Sequence, residues 1–184
     1  MVTTHALLGV ALSGAVVAFA PGLAPVAGAA GFLGGTFPDL DLFVGRHRRT
    51  LHYPVLGWGV ALPAAGHAAL APTPATLALA AFFCAFALHA AMDALGAGDE
   101  LRPWERTSDE GVYDHLRGRW IAPRYLVRYD GAPEDVLLTA VGAGAAVALF
   151  DGGLRWLAVG CLLLAVAYAV VRRRVPDWIG GYIE

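Results

Sequence analysis

The sequence contains no lysine, and all 13 of its basic residues are arginine. Cysteine is nearly absent too. Cys84 and Cys161 both lie inside apolar runs and have no CxxC partner, so they read as small core residues rather than a disulfide or a zinc knuckle. Charge is missing over long distances. No Asp, Glu, Lys or Arg occurs from Met1 to Pro38, from Tyr53 to Met92, from Val136 to Phe150 or from Trp156 to Val171. Typical soluble domains are about 25% charged. Here 15% of 184 residues are charged and 58% are hydrophobic, with a mean hydropathy of +0.58. These absences argue against an ordinary soluble domain and point to a membrane protein. A span needs roughly 20 largely apolar residues, and each of the first two runs is long enough to cross twice.

The expected fold class is therefore all-α, a polytopic membrane protein of about six transmembrane helices in three hairpins, forming one domain over 1–184. Helix one is predicted over Thr4 to Ala20, with Pro21-Gly22 as its stop. It lacks the basic residues that precede a signal peptide's apolar region, and the apolar stretch runs on into Leu23 to Thr36, so it reads as a retained helix. Helix two carries a Gly31-xxx-Gly35 pair, which lets another helix approach closely. Helix three covers Tyr53 to Ala71 and is interrupted by Pro54 and Pro63. Helix four covers Ala75 to Leu95 and completes a four-helix half, 1–95. A polar, arginine-rich loop follows over 96–135, then a helical hairpin over 136–174 and a tail over 175–184 whose Trp178 and Tyr182 suit a headgroup interface.

Against this apolar background the stretch Gly35 to His52, GTFPDLDLFVGRHRRTLH, stands out. Asp39 and Asp41 sit two residues apart after Pro38, and His47 and His52 flank an arginine cluster. Carboxylate and imidazole are the ligands that suit a hydrolytic zinc, manganese or similar divalent ion. Further along, His89 and Asp93 are four residues apart, so both leave one face of helix four and can meet one ion.

Short arginine-bearing loops mark the cytoplasmic side. Three arginines follow helix two, six lie in the loop after helix four, and three follow helix six, whereas the opposite turns hold only Arg155. Six helices with both termini cytoplasmic satisfy that pattern. His5, Asp39, Asp41, His47, His52, His89 and Asp93 then fall at one membrane face, and His67 falls toward the other. Taken singly, each has a structural reading: Asp39 as a turn residue, His5 as a surface histidine, His89 with Asp93 as a hydrogen-bonded pair. Polar groups bordering membrane spans are costly and tend to be functional, so their co-location favours a metal site.

The order THALLG, PDLD, HRRTLH and HAAMD resembles the YdjM-type family of LexA-regulated, membrane-bound metal-dependent hydrolases. That family shows an early histidine, PD-x-D, HR-x-x-x-H and a later H-x-x-x-D or H-x-x-D among transmembrane helices. The resemblance covers about Thr3 to Glu105 and implies a metal site of His5, Asp39, Asp41, His47, His52, His89 and Asp93. More distantly, the family is similar to the zinc-dependent phospholipase C and P1 nuclease group. Two departures bear on substrate choice: HRRTLHYP replaces a family-like HRGFTHS, and ALGAGDELRPWE replaces the threonine-proline-glycine stretch after the last aspartate.

The expected activity is metal-dependent hydrolysis of a phosphoester or lipid-like substrate at the cytoplasmic face of the cell membrane, using one or two divalent ions, zinc or manganese. Asp39 or Asp41 could bridge two ions, and the expected catalytic residues are Asp41, Glu105 as a base, and Arg48, or its neighbours Arg46 and Arg49, as a phosphate-neutralising cation. The competing class is a non-catalytic membrane protein, a transporter or metal-stabilised scaffold. Transporters place polar groups near the bilayer midplane, while here the helix middles are bare. Nucleic-acid binding through the arginines of 102–128 is disfavoured because acids are interleaved among them.

Overall fold

The computed structural model describes residues 1–179, and Tyr182, expected at a headgroup interface, lies outside them. The chain is mostly helical. Six apolar helices form where the charge-free runs predict them: α1 (Val2–Ser13), α2 (Ala24–Thr36), α3 (Trp58–Leu70), α4 (Pro74–Asp93), α5 (Pro133–Leu149) and α6 (Gly152–Val171). Proline sets several starts, where its missing N–H costs nothing. Pro74 opens α4 behind a Thr73–Thr76 capping box, and Pro133 opens α5.

The helices are unequal in length. Only α4 and the stretch from Gly152 to Trp178 are long and apolar enough to cross a membrane. α2 and α3 have 13 residues each, a rise of about 20 Å against a hydrocarbon thickness of about 30 Å. Helix one breaks into a 3-10 turn at Gly14–Ala18.

α2 is wedged between α1 and α4 by glycines. A Cβ on Gly31 would stand 2.4 Å from the Gly9 carbonyl oxygen, and one on Gly35 would stand 2.4 Å from that of His5. On its other side, a Cβ on Gly34 would stand 2.1 Å from the Phe82 carbonyl oxygen. The Gly31-xxx-Gly35 pair thus seats α2 on α1, as its spacing predicts. α3 packs on α4, and the α5–α6 hairpin packs on α1. The core is built from small side chains such as Ala27, Ala81, Ala146 and Ala158, with Leu7 and Val10 among them.

The polar loop holds an antiparallel hairpin that the sequence reading did not foresee, β1 (Val112–Asp114) paired with β2 (Arg119–Ile121), turning at Gly118 with φ +65°. It is tied to the arginine segment: Tyr113 N–H donates to the Arg48 carbonyl at 2.9 Å, and the His115 ring lies 2.6 Å from the Arg49 carbonyl oxygen. A short helix, α7 (Val175–Ile179), follows the arginines at 172–174.

Candidate metal centre

The close α1–α2–α4 packing has a chemical consequence. It brings the start of α1, the segment leaving α2 and the last turn of α4 to one end of the bundle. His5 comes from α1, Asp39 and Asp41 from the 3-10 turn Phe37–Leu42, His47 and His52 from the following linker, and His89 and Asp93 from α4. All seven expected ligands belong to one connected cluster of contacts at or below 4.0 Å.

The outer contacts dictate the proton positions. His89 Nδ1 lies 2.7 Å from the Gly35 carbonyl oxygen, and His52 Nδ1 lies 2.9 Å from Asp41 Oδ2. Neither oxygen can donate, so each Nδ1 carries the proton. In a neutral imidazole the Nε2 atoms then present lone pairs, and they face each other at 3.2 Å. Asp93 Oδ2 is 3.0 Å from His52 Nε2 and 3.6 Å from His89 Nε2, without the alignment of a hydrogen bond, and Asp39 Oδ1 is 3.4 Å from His89 Nε2. Four acceptors converge with no donor among them. A cation, proton or metal, stabilises such a set.

Electrostatics in the linker segment agree. Burial acts to raise the Asp39 carboxyl, but the hydrogen bond and charge of His89 outweigh it and hold the group at about 2. Burial acts to lower the His52 imidazole, yet the carboxylates of Asp41 and Asp93 prevail and raise it. The site is built to hold positive charge.

His5 supplies an independent sign. It is 3% exposed, and neither ring nitrogen has a hydrogen-bond partner. Buried polar groups are rarely left unpaired, and an imidazole positioned for a metal accounts for the orphan. Its Nε2 lies 3.8 Å from Asp93 Oδ1 and its ring centroid 3.9 Å from that of His89. Three overlapping triads could hold an ion: His5–Asp39–His89, Asp39–His47–His52 and His52–His89–Asp93, each with ligand atoms within 4.8 Å of one another. Asp39 belongs to two of them, so the set can serve one ion or two.

Three expected roles change. Asp41 is expected as a ligand, as one of two candidate bridges between ions and as a catalytic group, yet both its oxygens are taken: Oδ1 by His47 Nδ1 at 2.8 Å, Oδ2 by His52 Nδ1 and by Leu51 N–H at 3.2 Å. It stands behind the histidines and orients them, the usual partner of a metal-bound imidazole. Glu105 is not brought to the cluster. It is exposed in a 3-10 turn, 3.6 Å from Arg102, and the glutamate on the cavity wall is Glu100 instead. Among the three clustered arginines, Arg48 alone lines the cavity, with Nη1 donating to the Ala97 and Gly111 carbonyls. Arg46 pairs with Glu110, and Arg49 lies 4.4 Å over the Tyr113 ring. His67 is exposed on α3, apart from the cluster.

The centre opens into a cavity of about 500 Å³, with His5, Asp39, His47 and Asp93 on its wall. Arg172 and Glu100 share that wall. Sequence reasoning gave Arg172 only an orienting role, and no local signal marks either residue.

The chain matches no protein-family model, and no match was found among curated proteins or solved structures. Function therefore rests on the site itself.

Proposed function

We propose that this protein is a multi-pass membrane hydrolase of the cell membrane, with both termini and the metal centre at the cytoplasmic face, acting on a phosphoester or lipid-like substrate through a divalent metal. Zinc is the first candidate, because imidazole and carboxylate suit it, and manganese the second. The carrying observation is the convergence of His52 Nε2, His89 Nε2, Asp39 and Asp93 on one spot, each ring turned by a partner on its far nitrogen. The resemblance to the YdjM-type hydrolases supports the same reading.

When bound, the metal supplies an activated water and polarises the substrate oxygen. The chain does the rest. Asp41 and the Gly35 carbonyl hold the His52 and His89 rings in the ligating tautomer. His47, with its Nδ1 on Asp41 and 24% of its side chain accessible, is placed to move a proton between site and solvent. Arg48 places positive charge on the cavity wall, where a phosphoryl oxygen would dock. Apolar residues of the same wall, Leu42 and Leu164, suit an amphiphilic substrate.

Metal analysis of protein purified in detergent tests this reading. Stoichiometric zinc or manganese is expected in wild type and none in the Asp39→Ala, His89→Ala double variant. Metal-free wild type, or an unchanged double variant, would overturn the centre. With metal in place, metal-dependent release of product from a panel of phospholipids and soluble phosphoesters is expected. Silence across the panel would leave a metal-stabilised scaffold.

A further inference from the structure

The cavity at the metal centre is lined differently at its wall and at its rim. Every charged or metal-ligating residue that lines it is buried or half-buried, His5, Asp93 and Arg172 fully and Asp39, His47 and Arg48 in part. Three lining residues are exposed: Val2 at 43%, Leu42 at 57% and Leu164 at 62%. All three are aliphatic. A side chain that both lines a cavity and is exposed marks its mouth, so among the described residues this mouth is apolar and the charges lie within. Contact between apolar surface and water is unfavourable, and a charged substrate arriving through water gains nothing from such a rim. Against lipid tails, which are as apolar as leucine, the rim carries no penalty.

The position of Leu164 points the same way. Ala158, Cys161, Ala165, Tyr168 and Arg172 recur at helical spacing and form the buried or half-buried stripe of this helix, while Leu163, Val166 and Val170 are exposed on its outer face. Leu164 lies on the flank between the two. It stands about two turns before the end of α6 at Val171, a rise of about 10 Å. Because α6 belongs to one of the two stretches long and apolar enough to cross a membrane, this side of the mouth sits at the depth of lipid tails. Leu42, on the opposite side in sequence, shares its 3-10 turn with Asp39 and Asp41, so the rim is continuous with the ligand segment.

We infer that the substrate is a bilayer phospholipid that enters sideways through the rim of Val2, Leu42 and Leu164, its phosphate at the metal centre and an acyl chain against Leu164 and Ala165. This deepens the hydrolase reading and rests on it for the bond cleaved, whereas the chain site needs no metal. A cavity of about 500 Å³ suits a molecule of drug size, which corresponds to the headgroup and upper chain of a phospholipid. The rest of the tails stays in the bilayer. Each methylene buried is worth about fourfold in affinity, so two of them seated at the rim favour a lipid over its tail-free headgroup by more than about tenfold.

The test is photolabelling of the full chain in phosphatidylcholine nanodiscs by phosphatidic acid carrying a diazirine on one acyl chain, with and without zinc. Surrounding lipid labels the outer face of α6. A lipid in the cavity also labels Ala165, which is 6% exposed, and Tyr168. Unlabelled dioleoyl phosphatidic acid should suppress these two labels at a concentration at least about tenfold below that of glycerol 3-phosphate, which shares the headgroup and has no tails. Leu164→Trp, which narrows the mouth from its exposed side, should cut them about tenfold, and Val2→Trp should act alike from α1. Leu163→Trp, the same change one residue away on the outer face, should leave them unchanged. Label confined to the outer face, equal competition by the two ligands, or rim variants that label like Leu163→Trp would overturn lateral entry. The labels should persist without zinc. A protein that keeps them yet binds no metal would sink the hydrolase reading and leave the lipid site standing, whereas a metal-loaded protein that lacks them would be a hydrolase of soluble phosphoesters.

Discussion

Asp41 has two tasks and no free oxygen, since His47 takes one and His52 with Leu51 N–H takes the other. Its removal should loosen the metal without removing a ligand. Partners of this kind typically account for 10- to 100-fold in metal affinity. For Asp41→Ala we expect a loss of about that size, read by chelator competition, and for Asp41→Asn a smaller one because an amide still offers one acceptor. A complete loss of metal in Asp41→Asn would instead mark Asp41 as a direct ligand. His47 divides differently. If it moves protons, His47→Ala should keep its metal content while turnover falls by about 10²- to 10⁴-fold. Loss of metal in that variant would place His47 among the ligands.

The placement of these side chains depends on how closely three helices approach. α2 meets α1 through Gly31 and Gly35 and meets α4 through Gly34, backbone against backbone. The Gly35 carbonyl also holds the His89 ring, so one residue serves both packing and site. Gly35→Ala would drive a methyl to 2.4 Å from the His5 carbonyl oxygen, which no rotamer change relieves. α1 must shift, and such overpacking costs about 1–3 kcal/mol. Lower thermal stability in detergent and weaker metal binding are expected together. Gly22→Ala, where an added Cβ meets nothing within 4 Å, is the control and should change neither. If Gly35→Ala behaves like that control, the close crossing is not what positions His5.

The elements were legible in the sequence to the degree that their causes are local. Charge-free runs bounded by proline and glycine marked all six apolar helices, though not their lengths, and the four-residue spacings of Gly31 with Gly35 and His89 with Asp93 gave correct faces. What depends on distant partners was not legible. Asp41 looked like a ligand because its type and position matched Asp39, and only the packed linker shows its oxygens turned to His47 and His52. Glu105 follows Asp93 closely in sequence, but the loop turns it outward to Arg102. Strands of three residues, Val112–Asp114 and Arg119–Ile121, are too short for alternation to rise above the surrounding loop.

Across the molecule, large apolar side chains face outward while small ones fill the interior. Leu62, Leu70, Val141, Leu163 and Val170 are all more than half exposed, with Ala27, Ala61, Ala146 and Ala158 buried beneath them. In water this arrangement would leave apolar patches that soluble monomers rarely tolerate. In lipid it is the expected one, because close packing through small residues holds helices together where the hydrophobic effect between them is absent. In a bilayer the shorter helices would require local thinning or partial insertion against α4 and α6, the two long enough to cross. Phe43, 85% exposed in the linker beside Asp39 and Asp41, reports the face on which the centre lies. With Cys84 and Cys161 replaced by alanine, a Phe43→Cys protein should be labelled by a membrane-impermeant thiol reagent only from the cytoplasmic side. Ala71→Cys, in the exposed turn between α3 and α4, should be labelled only from the other side. Labelling of both from one side would mean that α3 does not cross and would remove at least one hairpin from the topology. Labelling of Phe43→Cys from outside would invert the protein, place the centre away from the cytoplasm and deprive the arginine clusters of their orienting role.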